Sequence, residues 1–430
     1  MLFNPGKLTT HITESKTLFP ASIFRLDNGL TFIHQEIAAT PVVVADVWVR
    51  AGATSESEPL FGMAHFLEHM IFKGTASLGP GEFDHNIERI GGVSNAATGH
   101  DYTHYYLAIA SHHLVDTLPH LGELLLNAAI FEDEFMRERD VVLEEIRSCA
   151  DDPDAIGFEA LLKTVYENHP YGRPILGTKK ELMENSPEAM RCFHRRHYQP
   201  ENMTVVIVGG IERDSAWEIV NQTFKQVKNQ DNLSTSNQLA APKIRHVKRQ
   251  ELILPRIEQA RLIMAWNLPG IDELAIANGL DILSVILGQG RTSRLVNDLR
   301  EEKQLVQGIC TNFSVQKDSS LLTITAYLEP EYLDRVENLI LEHLHRLQIH
   351  GVTEQELKRS QRSLCNDYAF STETPNQLAS LYGYYNTIAK AELSVAYPEQ
   401  IQSFNVKKLQ KVAQNYLSLQ DYAVTILKPY

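Results

Sequence analysis

The chain has 430 residues, 43% of them apolar, and a formal net charge of −14 at pH 7. That length exceeds one ordinary hydrophobic core and is typical of two domains. The excess of acidic residues excludes nucleic acid as an expected partner, because a polyanion would be repelled. The sequence has no run of about eighteen apolar residues and no apolar signal core near its start, so we expect no membrane span and a cytoplasmic location.

The first half of the chain predicts alternating strands and helices. Asn28 and Gly29 mark the turn of a predicted hairpin. The β-branched residues of 41–52 are typical of a strand. In chain order we expect a hairpin at 26–37, a strand at 41–52, helices from Gly62 and at 81–92, a hairpin at 93–110, helices at 112–130 and 132–150, and a helix followed by a strand at 186–210.

The second half of the chain repeats the plan of the first. The segments 197–208 and 415–427 each lead from a helix through a Tyr into a strand. The strand at 259–269 precedes a helix at 272–288, which occupies the place of the Gly62 helix. We therefore predict an α+β fold of two similar α/β-sandwich domains. The expected division is an N-terminal domain with a metal site at 1–228, a polar linker at 229–245 and a C-terminal domain without a metal site at 246–430.

The helix that starts near Gly62 carries an unusual set of polar residues. Its sequence, GMAHFLEHMIFKGT, places His65, Glu68 and His69 among apolar side chains. Residues three and four apart share a helix face, so the two imidazoles form a half-site for a divalent ion, most often zinc. Glu68 is then well placed to take a proton from water at that ion. The alternative is a pair of solvated histidines beside a chance glutamate, which the apolar flanks disfavour.

A catalytic zinc site usually takes a third protein ligand, and the helix at 131–150 offers several carboxylates. At about 100° per residue, one face of this helix is apolar and contains Phe131, Phe135, Val141, Val142, Ile146 and Cys149. Glu138 and Glu145 fall inside that face, whereas Glu144 lies toward its edge and Asp140 points away. A carboxylate on an apolar face needs a cation. We therefore expect Glu145 to be the third ligand and Glu138 to support a ligand histidine.

Other residues of metal-binding type give weaker patterns. His100 and His104 fall on a predicted strand, where residues four apart are separated by about 13 Å. We expect them to be surface or substrate-cleft histidines and not a second metal pair. The cysteines are far apart without a C-x-x-C pair, so we expect buried free thiols. They are Cys149, Cys192, Cys310 and Cys365.

These features together resemble the pitrilysin (M16) family of zinc peptidases, whose H-x-x-E-H order matches residues 65–69. The resemblance covers nearly the whole chain. It rests on the stretches GMAHFLEHMIFKGT, IGGVSNAATGHDYTHYY, ERDVVLEEI, HPYGRPILGT, HYQPENMTVVIVGG and GRTSRLVNDLREEKQLVQG. The chain is similar in length to the short bacterial members, which resemble the β subunit of the mitochondrial processing peptidase. Those members work as dimers, so the resemblance implies that this chain forms half of a clam shell around a chamber.

For the metal site, the resemblance implies the same residues as the helical phase. His65, His69 and Glu145 would bind Zn²⁺. Glu68 would be the catalytic general base, and Glu138 would be the supporting carboxylate of the catalytic site.

The resemblance also implies substrate-binding residues in both halves. Asn95 and Ala96 match the family's edge strand, which can pair with any extended peptide. Arg300 matches an Arg that reaches the zinc site, but Gln307 stands where active members have a Tyr. Gln can donate a hydrogen bond but lacks the reach and acidity of the phenol. We therefore expect a dimer that works best as a heterodimer with a related chain supplying Arg and Tyr, and an active homodimer is the alternative.

The resulting hypothesis is a zinc-dependent endopeptidase that hydrolyses unstructured peptides in a closed chamber. The alternative is a non-catalytic subunit that binds polypeptides within a larger complex of this family. His65, Glu68 and His69 favour the enzyme, because a binding subunit has no need of a water-activating glutamate.

Overall fold

A computed structural model of the chain describes residues 18–227, 229 and 241–430. Its strands form two mixed sheets. The first has the order β1-β2-β6-β3-β5-β4 and consists of β1 (Ser22–Arg25), β2 (Thr31–Glu36), β3 (Val42–Val49), β4 (Val93–Thr98), β5 (Thr103–Ala110) and β6 (Met203–Gly209). The second has the order β7-β11-β8-β10-β9 and consists of β7 (Lys248–Ile253), β8 (Ala260–Pro269), β9 (Gly308–Ser314), β10 (Ser319–Leu328) and β11 (Ala423–Lys428).

Both sheets follow one plan, which confirms the predicted fold of two similar α/β units. In the first sheet β2 pairs in parallel with β6, and β3, β5 and β4 then follow in antiparallel order. In the second sheet β7 pairs in parallel with β11, and β8, β10 and β9 follow in antiparallel order. The additional strand β1 forms the predicted hairpin with β2, and Gly29 adopts a φ of 89° in the turn.

The helices of the described residues divide between the two halves. Those of the first half are α1 (Met63–Ile71), α2 (Glu82–Arg89), α3 (Leu114–Asn127), α4 (Glu132–Asp151), α5 (Pro153–Tyr166), α6 (Lys179–Glu184), α7 (Pro187–His197) and α8 (Arg213–Phe224). Those of the second half are α9 (Leu274–Gly288), α10 (Leu333–His350), α11 (Glu354–Phe370), α12 (Pro375–Ile388), α13 (Tyr397–Gln402) and α14 (Val406–Tyr416).

Helices cover both faces of each sheet, because apolar residues point alternately to either side of the central strands. On β6, Val205 and Ile207 point into the core that contains α1, α3, α4 and α8. Val206 and Val208 point to the opposite face, where a second core forms.

The opposite faces are covered by helices that the two halves exchange. Helix α12 of the second half packs on β3 and β6, where Tyr382 joins the core around Trp48. Helix α5 of the first half packs on β8 and β11, where Leu161 joins the core around Ile263. The predicted domain boundaries stay predictions, and most of the expected linker, residues 230–240, lies outside the described residues.

Among the helices in the described ranges, none is both long enough and apolar enough to cross a bilayer.

The four cysteines are free thiols, as expected. Their expected burial is wrong for Cys192 and Cys310, which are exposed, because neither position lies on the face of its helix or strand that packs against the core.

Candidate active site

Helix α1 is fixed by its apolar side and by a carboxylate at its N-terminus. Phe66 and Met70 are fully buried beneath the helix. Oε2 of Glu56 accepts a hydrogen bond of 3.0 Å from the Gly62 N–H, and Oε1 accepts one of 2.8 Å from the Ala64 N–H. Glu56 thereby satisfies donors that have no partner within the helix. Burial raises the pKa of Glu56 to about 8, although the two N–H groups oppose this shift.

The structure brings His65, His69 and Glu145 together on neighbouring helices. The two imidazole rings are 4.7 Å apart between centroids. Nε2 of His65 and Nε2 of His69 each lie 3.6 Å from Oε2 of Glu145 on α4. One ligand atom from each of the three residues falls within 4.8 Å of the others. By contrast, Glu144 points outward and pairs with Arg147 at 2.8 Å.

These three residues fit a divalent cation. Oε2 of Glu145 is buried and has no hydrogen-bond partner among the described residues, which a nearby cation would satisfy. Burial and the charge of His69 lower the pKa of His65 to about 4, so its imidazole is neutral at pH 7. Two imidazoles and one carboxylate form a donor set of the kind that holds zinc and leaves a position open.

Glu138 lies behind the site and contacts a candidate ligand. Its Oε1 is 2.9 Å from Nδ1 of His69, and its Oε2 is 2.7 Å from Nζ of Lys73. Burial would raise the pKa of Glu138, but the bonds to His69 and Lys73 outweigh burial and lower it. Burial likewise would lower the pKa of His69, and the bond to Glu138 with the neighbouring charges raises it. Glu138 is therefore placed to orient His69.

Glu68 projects from α1 toward the edge strand β4. Its Oε2 accepts a hydrogen bond of 2.5 Å from the Thr98 hydroxyl. Burial raises the pKa of Glu68, although the Thr98 bond acts in the opposite direction. Neither Thr98 nor Glu56 is among the residues that the sequence predicted for the site. Thr98 contacts Glu68 across thirty positions of the chain, whereas Glu56 contacts the start of α1 from the loop six residues before Gly62.

Strand β4 is an edge strand, as expected for the segment that carries Asn95 and Ala96. It pairs only with β5 among the strands of the described residues. Asn95 is exposed, and its Oδ1 accepts a hydrogen bond of 2.9 Å from the Ala96 N–H. The outer side of this strand is therefore open to pairing, and peptide binding by these two residues stays a prediction.

Arg300 and Gln307 lie in the second half of the chain, in and shortly after a π-helical turn. Arg300 is in a π-helical turn, Val296–Glu302, and donates to Glu301 at 3.0 and 2.5 Å. Gln307 is exposed immediately before β9. Within the part of the chain that the structure describes, no hydrogen bond or ion pair joins either side chain to α1. Their expected approach to the metal site stays a prediction about an assembly.

His100 and His104 are both partly buried and held by neighbouring groups, and their expected place at the surface or in a substrate cleft stays a prediction. Nδ1 of His104 lies 2.9 Å from Oδ1 of Asp46, and the His104 side chain is only 13% exposed. His100 lies 3.2 Å from the carbonyl oxygen of Arg173 and contacts the ring of Tyr171. Both are held by partners from distant segments that strand spacing does not reveal.

Two family models match consecutive parts of the chain. The model "Insulinase (Peptidase family M16)" matches residues 31–179, and "Peptidase M16 inactive domain" matches residues 185–364. The histidines and glutamates of the candidate site lie in the first match. Arg300 and Gln307 lie in the second.

Relatives named as proteases align with nearly the whole chain. "Uncharacterized zinc protease YmxG" of Bacillus subtilis is 28% identical over 408 residues, which cover 94% of this chain and 98% of the relative. "Zinc protease PqqE" of Helicobacter pylori is 28% identical over 411 residues, which cover 94% and 92%. The crystal structure of a protease from Helicobacter pylori matches with a TM-score of 0.90 at 27% identity and covers 95% of this chain and 99% of that one. The two family matches, the shared fold and these relatives show that the chain belongs to peptidase family M16.

Proposed function

We propose that the protein is a zinc-dependent endopeptidase that hydrolyses unstructured peptides. The observation that carries the proposal is the convergence of His65, His69 and Glu145 beside Glu68, which lies on the same helix as the two histidines. The relatives are named zinc proteases, and these names support the same metal and reaction class.

The chain's residues would divide the work between holding the ion and moving a proton. His65 and His69 through Nε2, and Glu145 through its carboxylate, would hold Zn²⁺. Bound zinc supplies Lewis-acid chemistry, which polarises a carbonyl group and acidifies water. Glu68 accepts a proton from the attacking water and later donates it to the nitrogen of the leaving amine. Glu138 accepts the Nδ1 proton of His69 in a hydrogen bond and keeps Nε2 free to act as a ligand.

The open edge of β4 supports a peptide substrate. An extended peptide can form main-chain hydrogen bonds with such an edge whatever its sequence. In the proposal, Asn95 and Ala96 bind the peptide backbone next to Glu68. Folded proteins would be spared, because their strands are already paired and do not fit a closed chamber.

The substitution at Gln307 supports a partner chain. A shell of two short chains can bring Arg300 of one chain to the metal site of the other. In a homodimer each site would meet Gln307, whereas a related chain carrying Arg and Tyr would supply a phenol donor. We therefore propose a dimer that is more active with such a partner, in the cytoplasm and without nucleic acid.

A Glu68→Gln variant tests the enzymatic role against a binding-only subunit. The purified chain is loaded with zinc, its metal content is measured, and cleavage of a quenched unstructured peptide is followed. Glu68→Gln should retain about one zinc per chain and lose ~10²–10⁴-fold in rate. Glu144→Gln, on the exposed side of α4, is the matched control and should remain active. Near-complete activity of Glu68→Gln would refute the assignment, and zinc-loaded wild type without cleavage would favour the binding subunit.

A further inference from the structure

The bond between Thr98 and Glu68 joins the candidate base to the candidate substrate strand. Thr98 is the last residue of β4, and Glu68 lies on α1, thirty positions earlier in the chain. At 2.5 Å between Oγ1 and Oε2, this is a short hydrogen bond of the kind that a charged acceptor forms. The roles proposed above for the metal ligands, Asn95 and Ala96 do not include this hydrogen bond.

The direction of this bond follows from counting hydroxyl protons. Thr98 has one hydroxyl proton and two neighbours, Glu68 and the Thr103 hydroxyl at 3.4 Å. Thr103 directs its own proton to the carbonyl oxygen of Ala51 at 2.7 Å. An ionised carboxylate can only accept. Thr98 therefore donates to Glu68, which leaves Oε1 as the carboxylate oxygen without this bond.

We propose that Thr98 is a positioning residue, which fixes the Glu68 carboxylate so that Oε1 exchanges the proton during peptide hydrolysis. The inference rests on the proposed function. In the first step an O–H bond of water breaks and Oε1–H forms. In the second step Oε1–H breaks and an N–H bond of the leaving amine forms. Thr98 keeps its own proton in both steps.

Thr98 lies on the same strand as the residues proposed to bind the peptide. Ala96 and Thr98 are two residues apart, so they lie on the same face of the strand and about 7 Å from each other. They pair with Tyr105 and Thr103, respectively, on the neighbouring strand. Strand β4 would thus contact both the Glu68 carboxylate, through Thr98, and a peptide that pairs with its edge. The register of the peptide relative to Oε1 is set by that strand and not by a loop.

Two substitutions at Thr98 separate the hydroxyl from the shape of the side chain. Thr98→Val has nearly the same shape and a high β propensity but donates no hydrogen bond. Thr98→Ser keeps the donor. Ser94→Ala is the matched control, because Ser94 lies on the same face of β4 and its hydroxyl contacts Asp84 at 3.5 Å, not Glu68. Circular dichroism melting of each variant checks that the strand is intact.

The expected result is a loss of turnover with little change in binding. Thr98→Val should lower kcat ~10–100-fold, the size typical of damaged outer shells in metal sites, with KM within about twofold of wild type. Thr98→Ser should recover kcat to within about threefold, and Ser94→Ala should match wild type. Zinc affinity, measured by competition with a chelating dye, and anisotropy of a labelled peptide on the metal-free protein should be unchanged in Thr98→Val.

Three results would overturn the inference. These are an unchanged kcat in Thr98→Val, an equal loss in Thr98→Ser, and a weakened zinc affinity that accounts for the loss. An active wild type with unchanged Thr98→Val would overturn this inference alone. A zinc-loaded wild type that cleaves no peptide would overturn the proposed function together with it.

Discussion

Nδ1 of His69 and Oε1 of Glu138 lie 2.9 Å apart, so the carboxylate can accept the Nδ1 proton, and in the neutral imidazole this leaves Nε2 free to bind a metal ion. The other oxygen of Glu138 is 2.7 Å from Lys73, so both oxygens are paired. Glu138 is thus held by Lys73 on one side and contacts His69 on the other, and this fixes the orientation of the His69 ring.

Removing the charge of Glu138 should weaken metal binding. Glu138→Gln places an amide against both His69 and Lys73 and no longer selects one His69 tautomer. Zinc affinity should fall ~10–100-fold in a chelator competition titration, as is typical for such outer contacts. The control is Glu134→Gln one turn earlier, where the side chain pairs with Arg137. Equal affinity of wild type and Glu138→Gln would contradict this role.

Glu145 and Glu144 are adjacent in sequence but should differ strongly in their effect on zinc. Oε2 of Glu145 lies 3.6 Å from both imidazole Nε2 atoms, whereas the side chain of Glu144 is 70% exposed and pairs with Arg147. Glu145→Gln should lower zinc affinity at least ~10-fold, and Glu144→Gln should change it little. The same competition titration measures both variants. The reverse ranking would place the wrong glutamate at the metal.

Glu56 should make stability fall as the pH rises. Its pKa is raised by burial from 4.5 to about 8 in the folded protein. The folded state therefore binds the proton more tightly than the unfolded state does. This contribution to stability is present below pH 4.5 and is lost as the pH rises from there through 8, with a slope of up to ~1.4 kcal/mol per pH unit.

The Glu56→Gln variant provides the reference for this pH dependence, because it does not titrate at that position. The free energy of unfolding of wild type relative to Glu56→Gln should decrease between pH 5 and pH 9 in chelator-treated protein. Glu58→Gln, in the same loop and exposed, controls for net charge and should give no such trend. A difference between wild type and Glu56→Gln that is constant with pH would contradict the raised pKa.

Gln307→Tyr should increase the activity of the isolated chain. In a homodimer the added phenol could donate to the substrate carbonyl, and the loss of one such donor typically costs ~10²–10³-fold in rate. We expect a gain of at least tenfold in peptide cleavage. Gln307→Phe is the matched control, because it adds the ring without the hydroxyl and should give no gain. A fully active wild-type homodimer that Gln307→Tyr leaves unchanged would end the argument for a partner chain.

The sequence by itself determined the residues that short-range periodicity places together. The spacing of His65, Glu68 and His69 put three polar groups on one helix, and the phase of the α4 helix distinguished Glu145 from Glu144. The repeated order of strands and helices gave the duplicated fold. These features follow from helix and strand periods of about 3.6 and 2 residues, which are properties of the local chain.

Periodicity was less reliable at the edges of a face. Phe131 and Val141 belong to the predicted apolar face of α4 but are 40% and 47% exposed, respectively. Phe135 and Val142, on the same predicted face, are buried. A helix period identifies which side chains point in one direction. Whether the side chains at the edges of that face are buried depends on the width of the helix or sheet that packs against it. The helical period of the sequence does not predict that width.

Only the tertiary structure decided which residues outside α1 and α4 complete the site and which helices complete the two cores. Glu56 reaches the N-terminus of α1, Thr98 reaches Glu68, and α5 and α12 are exchanged between the sheets. Tyr171 also links the halves, because its hydroxyl donates to Asp101 at 2.7 Å and accepts from the N–H of Asp318 at 3.1 Å. Such contacts depend on how whole helices and strands pack. The sequence around Glu56 or Thr98 does not distinguish it from a Glu or Thr that stays exposed to solvent.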